Sequence, residues 1–290
     1  MQLFGQALIS GIFLGSLYGM IAIGLTLTWG MLKVINLSHF SFAIFAAYIT
    51  YQLSISLGMN PFLTMLVTAP LFFLVGVALQ WFIDVFHVDE FMSLLVTFGL
   101  FIILESVMRW FWTADHRFIP SDLNPYLGVS IWVGPFALPI PQLASFIAAI
   151  LISGFTMYLL HRTYAGKALR ALSQDREIAG AFGVDHRRSA MLLSGLAGAY
   201  AAVAGAFIGM IYGITPTAAI EWLPVVFAVV ILGGLANAFG AFAAGILIGV
   251  TDHVTSVVAD AGMASLVTFV ILILALLLRP DGLFARRIAE

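Results

Sequence analysis

Apolar runs long enough to cross a bilayer dominate this 290-residue chain, and they leave few folds open. Hydrocarbon offers a backbone no hydrogen-bond partner, so a spanning segment must satisfy itself as a helix or join a closed barrel. The runs are continuous rather than alternating with period two, which argues against a barrel. Hydrophobic residues make up 62% of the chain and charged residues 9%, a balance foreign to soluble domains. The reading is an all-α, polytopic membrane helical bundle over 1–290, with no hydrophilic stretch exceeding about thirty residues. The first residues, MQLFGQALISGIF, lack the basic start of a secretory signal and read as the opening of a span.

Nine apolar segments can be marked, at 4–30, 38–57, 61–83, 91–113, 141–160, 189–212, 222–237, 239–258 and 263–279. Glycines interrupt some of them. Gly30 reads as a break after the first, and Gly233-Gly234 and Gly240 punctuate the short late pair. The expectation is eight or nine transmembrane segments, some broken or re-entrant. Small residues such as Gly195, Gly198, Gly205 and Gly245 recur along the spans, where they allow helix backbones to approach closely.

Six of the twelve Lys/Arg residues (Arg162, Lys167, Arg170, Arg176, Arg187 and Arg188) fall within 161–188. Positive loops stay inside, so this segment and the tail with Arg279, Arg286 and Arg287 are expected to be cytoplasmic; nine crossings then put the N-terminus outside. The acidic stretch 84–90 would also lie inside, where negative residues count little. Loop 114–140, with Pro120, Pro125, Pro135 and Pro139, would be an irregular or short-strand outer cap.

Within the basic segment, Ser173 to Gly183 reads as one short helix. Asp175, Arg176 and Glu177 occupy its first turn; Ile178, Ala179, Ala181 and Phe182 offer apolar contact surface, and Gly183 is a C-terminal cap. Two readings stay open on spacing alone: a loop that only sets orientation, and a docking element for a soluble protein.

Polar residues in spans are costly and informative. Glu105 and Arg109 are four apart on one helix face and can pair. Asn36 and His39 follow the break at Gly30, and Asn237 follows Gly233-Gly234. Paired interruptions of this kind point to a substrate path in transporters, although helix capping explains Asn36 equally well. Asp84, His87, Asp89 and Glu90 lack the paired histidines of a zinc site and read as a solvated loop. There is no GxxxxGK[ST], GxSxG or HExxH; Ala165-Gly166-Lys167 lacks the rest of a phosphate loop. Net charge of −2 suggests no nucleic-acid partner, and the absence of cysteine excludes thiolate metal sites.

Several motifs together resemble the permease subunits of bacterial ABC importers for branched-chain amino acids. Gly15 to Leu25 resembles the family's first-span pattern, and Val34-Ile35-Asn36-Leu37-Ser38-His39 its Ile-Asn-Phe-Ala-His segment. Ala171 to Val184 resembles its coupling region, Val229 to Leu235 with Gly240-Ala241 its Leu-Gly-Gly-Leu-Gly run, and Arg279 to Phe284 its C-terminal signature. The chain departs from the pattern at acidic 84–90 and at Ala236, where glycine is usual. The resemblance implies a non-enzymatic subunit of the bacterial inner membrane, C-terminus cytoplasmic, holding no cofactor. ATP and magnesium would be handled by two ATPase partners docked on the coupling region: Asp175, Arg176, Glu177, Ala179, Phe182 and Gly183. A second permease, a periplasmic binding protein and membrane lipid complete the implied partners. The substrate path would include Asn36, His39 and Asn237. An ion-coupled secondary transporter, or an ABC permease for urea or short amides, are the rival readings.

Overall fold

All nine apolar segments fold as helices. The computed structural model describes residues 2–279 and 282–284, and of Arg176, Glu177 and Ala261 it describes the backbone alone. The order is α1 (Gln2–Leu32), α2 (Ser38–Leu57), α3 (Met65–Val85), α4 (Glu90–Trp112), β1 (Ser130–Val133), β2 (Phe136–Pro139), α5 (Ile140–Arg162), α6 (Tyr164–Gln174), α7 (Arg176–Ala181), α8 (His186–Ile211), α9 (Ala218–Gly233), α10 (Ala238–Val258) and α11 (Ala261–Leu278). Among the described residues, α1 to α5, α8 and α10 are long and apolar enough to cross a membrane, while α9 and α11 are apolar but shorter. The protein is a multi-pass helical membrane bundle.

Local chemistry sets the helix ends. Gly58, in the left-handed region at φ 62°, closes α2. Asp89, Asn237 and Asp260 each accept a hydrogen bond from a backbone N–H in the first turn of α4, α10 and α11, at 2.7, 3.0 and 2.7 Å. The proline-rich loop closes as an antiparallel hairpin, Ser130 opposite Pro139 and Val133 opposite Phe136, with Gly134 (φ 59°) in its turn. Gln6 of α1 clamps it. Its amide donates to the Ala137 carbonyl at 2.9 Å and accepts from the Ala137 N–H at 3.1 Å.

Helices α1 and α8 form the interior, and glycine decides how closely their neighbours approach. A Cβ on Gly15 would lie 2.6 Å from the Ile246 Cα of α10, and one on Gly11 2.6 Å from the Val250 Cα. A Cβ on Gly205 of α8 would overlap the Ala43 carbonyl of α2, and one on Gly198 the Phe72 carbonyl of α3. Lipid gives helices no hydrophobic reason to associate, so this backbone-close packing holds the bundle together.

One sequence expectation about the first span needs correction. The first helix does not break at Gly30 but runs two residues further; Gly30 packs directly against Ala236, so glycine here serves a close approach rather than a helix end. The turn comes at Lys33 (φ 58°). The irregular backbone that follows is satisfied by hydroxyls of α4: the Ile35 N–H donates to Ser93 Oγ and the Leu37 N–H to Thr97 Oγ1, both at 3.0 Å. Non-helical chain at the edge of a bundle survives when neighbouring side chains take up its backbone groups.

Replacing Gly205 with alanine should therefore cost about 1–3 kcal/mol through overpacking, read as a lower melting temperature in detergent. Gly99→Ala, at a helical glycine with nothing within 4 Å, should leave the melting temperature unchanged or raise it.

Candidate functional site

At the end of the bundle that carries the basic segment, the single helix expected over Ser173–Gly183 is instead two. Asp175 is the reason. Its N–H still donates to the Ala171 carbonyl at 3.0 Å, closing α6, while its carboxylate accepts from the Ile178 N–H at 2.9 Å, opening α7. An aspartate that competes for the backbone in this way favours a cap over a helix interior. Gly183 ends α7 as expected, with φ 81°. Its N–H donates to the Gly180 carbonyl at 2.9 Å and the Val184 N–H to the Ala179 carbonyl at 3.2 Å, the paired bonds of a Schellman cap.

The cap fixes what α7 presents. Ile178 and Phe182, four residues apart and so on one face, are 59% and 82% exposed. Ala179, expected on that surface, is instead buried against the chain's own body. The side chains of Arg176 and Glu177, and the tail residues Arg286 and Arg287, lie outside the described residues. Gly166 also has a structural reason: its Cβ would lie 2.5 Å from the Leu160 Cα, so the tight α5–α6 corner requires glycine.

Asn237 sits at a second junction on the same end. Its side chain caps α10 through the Gly240 N–H and donates to the Phe284 carbonyl at 2.7 Å, while the Leu283 N–H donates to the Leu232 carbonyl at 2.9 Å. The C-terminal turn is thus stapled into the α9–α10 link. Thr26 of α1 joins it, donating to the Gly234 carbonyl and accepting from the Ala236 N–H, both at 3.1 Å. Ala236 is in the left-handed region at φ 60°, which accounts for glycine being the expected residue there.

Asn36 and His39 lie apart from that junction. Asn36 is buried, its side-chain oxygen accepting from Ser38 Oγ at 2.6 Å. His39 is fully buried, and its Nε2 lies 3.0 Å from the Ile21 carbonyl of α1. The ring fills the space beside Gly24, tying α2 to α1. Among the described residues, no hydrogen bond links Asn237 to Asn36 or His39.

Among the described residues, a cavity opens at each end of the bundle. One, of about 330 Å³, is lined by Lys33, Gln80, Asp84, His87, Glu90 and His186 among others. Its acidic residues have local duties: Asp84 accepts from Gln80, and Glu90 from the Trp29 indole at 3.0 Å. No group of three or more metal-ligating side chains occurs among the described residues. The other cavity, of about 290 Å³, lies at the opposite end between the α8–α9 connection and α9. Tyr212, Thr215, Thr217, Glu221, Trp222 and His116 contribute to its lining. Sequence reasoning missed this cavity, because the apolar run was begun at Trp222 and the preceding Glu221 was left aside.

The pattern of the family described as "Branched-chain amino acid transport system / permease component" matches residues 7–276. The high-affinity branched-chain amino acid transport system permease protein LivH of Salmonella typhimurium is 27% identical, over 98% of this chain and 96% of its own length. The permease protein BraD of the corresponding system in Pseudomonas aeruginosa is 28% identical, over 97% and 95%. A probable branched-chain amino acid transport permease, LivH of Methanocaldococcus jannaschii, is 27% identical, over 94% and 90%. No solved structure matches the chain.

The α9–α10 junction yields two expected outcomes. Asn237→Ala removes a cap worth about 1 kcal/mol and releases the C-terminal turn, so a carboxypeptidase should trim the chain faster than it trims wild type. Ala236→Gly relieves left-handed strain of about 1 kcal/mol and should raise the melting temperature.

Proposed function

The chain belongs to the family of branched-chain amino acid transport permease components, and on that premise we propose that it is the pore-forming half of an ATP-driven amino acid importer. It would sit in a bacterial inner membrane beside a second permease, related or identical, with its C-terminus in the cytoplasm. Two ATPase subunits would dock on the end bearing α6 and α7, and a periplasmic binding protein would deliver cargo to the hairpin end. The relatives' names support a branched-chain amino acid as that cargo.

Helix α7 carries the reading. A six-residue, doubly capped helix holds Ile178 and Phe182 out of the bundle at its most basic end. Two exposed apolar side chains on a rigid helix next to charged residues suit insertion into a groove on a soluble partner. Asp175 and Gly183 set the direction and length of that helix; Arg176 and Glu177 would supply charge to the contact. Ala179 would seat α7 on the permease body rather than touch the ATPase.

ATP binding would draw the paired ATPases together and move α7, and the motion would pass through α6 and α8 into the bundle. Each transport state must be stabilised differently by ATP or by the loaded binding protein for this coupling to operate. In this reading the chain hydrolyses nothing and holds no cofactor; ATP and magnesium belong to its partners. Asn36, His39 and Asn237 are each bonded within their own chain, and they would position the helices that flank the path.

Affinity purification of the tagged protein in mild detergent tests the assignment. An ATPase and a second permease should be recovered with wild type. Phe182→Glu, Gly183→Leu and Arg176→Glu should each lower ATPase recovery at least tenfold while membrane insertion stays normal. Unchanged recovery and unchanged transport in all three variants would remove α7 from the coupling role.

A further inference from the structure

The cavity at the hairpin end has a chemistry that its position makes useful. Its wall segment, residues 212–217, is held firmly. The N–H groups and carbonyls of Arg117 and Ile214 exchange two hydrogen bonds, at 3.0 and 2.9 Å, and the Tyr48 hydroxyl donates to the Ile214 carbonyl at 3.4 Å. The Phe118 ring packs directly on Gly213, so a side chain there would have to displace it. Below this strap, Trp222 is fixed by two edge-on contacts, with Tyr18 of α1 at 5.3 Å and Tyr212 at 6.1 Å between ring centroids.

Onto that aromatic wall the chain adds one carboxylate and two hydroxyls. Glu221 immediately precedes Trp222 and has no hydrogen bond or ion pair among the described residues. Thr215 and Thr217 lie 3.3 Å apart through their hydroxyl oxygens, either able to donate, so one hydroxyl proton of the pair remains for a further acceptor. With a single carboxylate in its lining, the cavity is a poor metal site, because a hard cation needs several oxygens. It suits an organic ammonium, which gains from both the charge and the ring faces. The hydroxyl pair and His116 stand ready for the carboxylate of the same molecule.

We propose that this cavity is the permease's acceptor site for a zwitterionic amino acid released at the outer face, with Glu221 opposite the ammonium group and Trp222 under the side chain. The proposal rests on the importer reading and adds the residues that meet the cargo first. At about 290 Å³ the space is at the small end for ligand pockets, as a single amino acid requires. Glu221 is exposed, so its attraction is weak. Weakness suits a site on a path, which must admit its cargo and then let it go. Pro224, inside α9 two residues beyond Trp222, has no N–H for the Ile220 carbonyl. The turn carrying Glu221 is thereby joined loosely to the rest of α9, as a gate would need.

The test uses the complete importer in proteoliposomes, with uptake of radiolabelled leucine and ATP hydrolysis measured in parallel under saturating loaded binding protein. Glu221→Gln should lower leucine uptake tenfold or more while ATP hydrolysis stays within twofold of wild type, and Glu221→Asp should recover most of the uptake. Trp222→Leu should reproduce the uptake defect. Uptake unchanged in Glu221→Gln and Trp222→Leu overturns the site while leaving the importer intact. Loss of hydrolysis together with uptake assigns these residues to assembly and also overturns it. Wild-type vesicles that take up no amino acid overturn the importer reading and this site with it.

Discussion

Backbone-to-backbone contact between helices is the constraint on which the rest of this protein depends. Within a bilayer apolar side chains gain nothing by turning inward, so a bundle needs surfaces that mesh. Here α1 lies against α10 through Gly11, Gly15, Gly245 and Gly249, and α8 lies against α2 and α3 through Gly205, Gly198 and Gly76. The two interior helices set the positions of the others. They also set where the irregular pieces fall: the 33–37 linker beside α4, the 234–237 link beside Thr26, and the 212–217 strap above Trp222.

Polar groups then secure what close packing positions. Gln80 of α3 accepts from Ser194 of α8 at 2.7 Å, Thr156 of α5 donates to Tyr200 of α8 at 2.9 Å, and His39 of α2 meets α1. Each bond joins an outer helix to an interior one. Buried groups of this kind are costly when left unpaired, so each contact favours one register of the two helices over a shifted one. The two ends differ in character. At one, short capped helices present exposed apolar side chains; at the other, the 212–217 strap and the start of α9 line a small cavity.

Much of this was legible in the sequence. Continuous hydrophobicity marked all nine apolar helices, and proline spacing marked the loop that closes as the hairpin. Gly183 was recognised as a terminator because few other residues tolerate its backbone angle. Where the reading failed, a local competitor or a distant neighbour decided. Asp175 split one expected helix into two by capping the second. Gly30 marks a close approach rather than a break: Ala236, far along the chain, occupies the space where a side chain would be. Ala179 has the apolar character of a contact residue, yet only three-dimensional placement reveals that its contact is internal. Asn36, His39 and Asn237, read as lining a substrate path, carry side-chain bonds at separate joints between helices.

The α1–α10 seam has a consequence for how the protein is made. Helix α1 is synthesised well before α10, the helix it packs against most closely, and the turn at Gly282–Phe284 fastens the N-terminal end of α10. For most of synthesis α1 must stand in the membrane with its glycine-lined side uncovered, held only by neighbours already delivered. The α1–α10 seam closes only when α10 slots into that waiting groove, after the helices between them have been delivered.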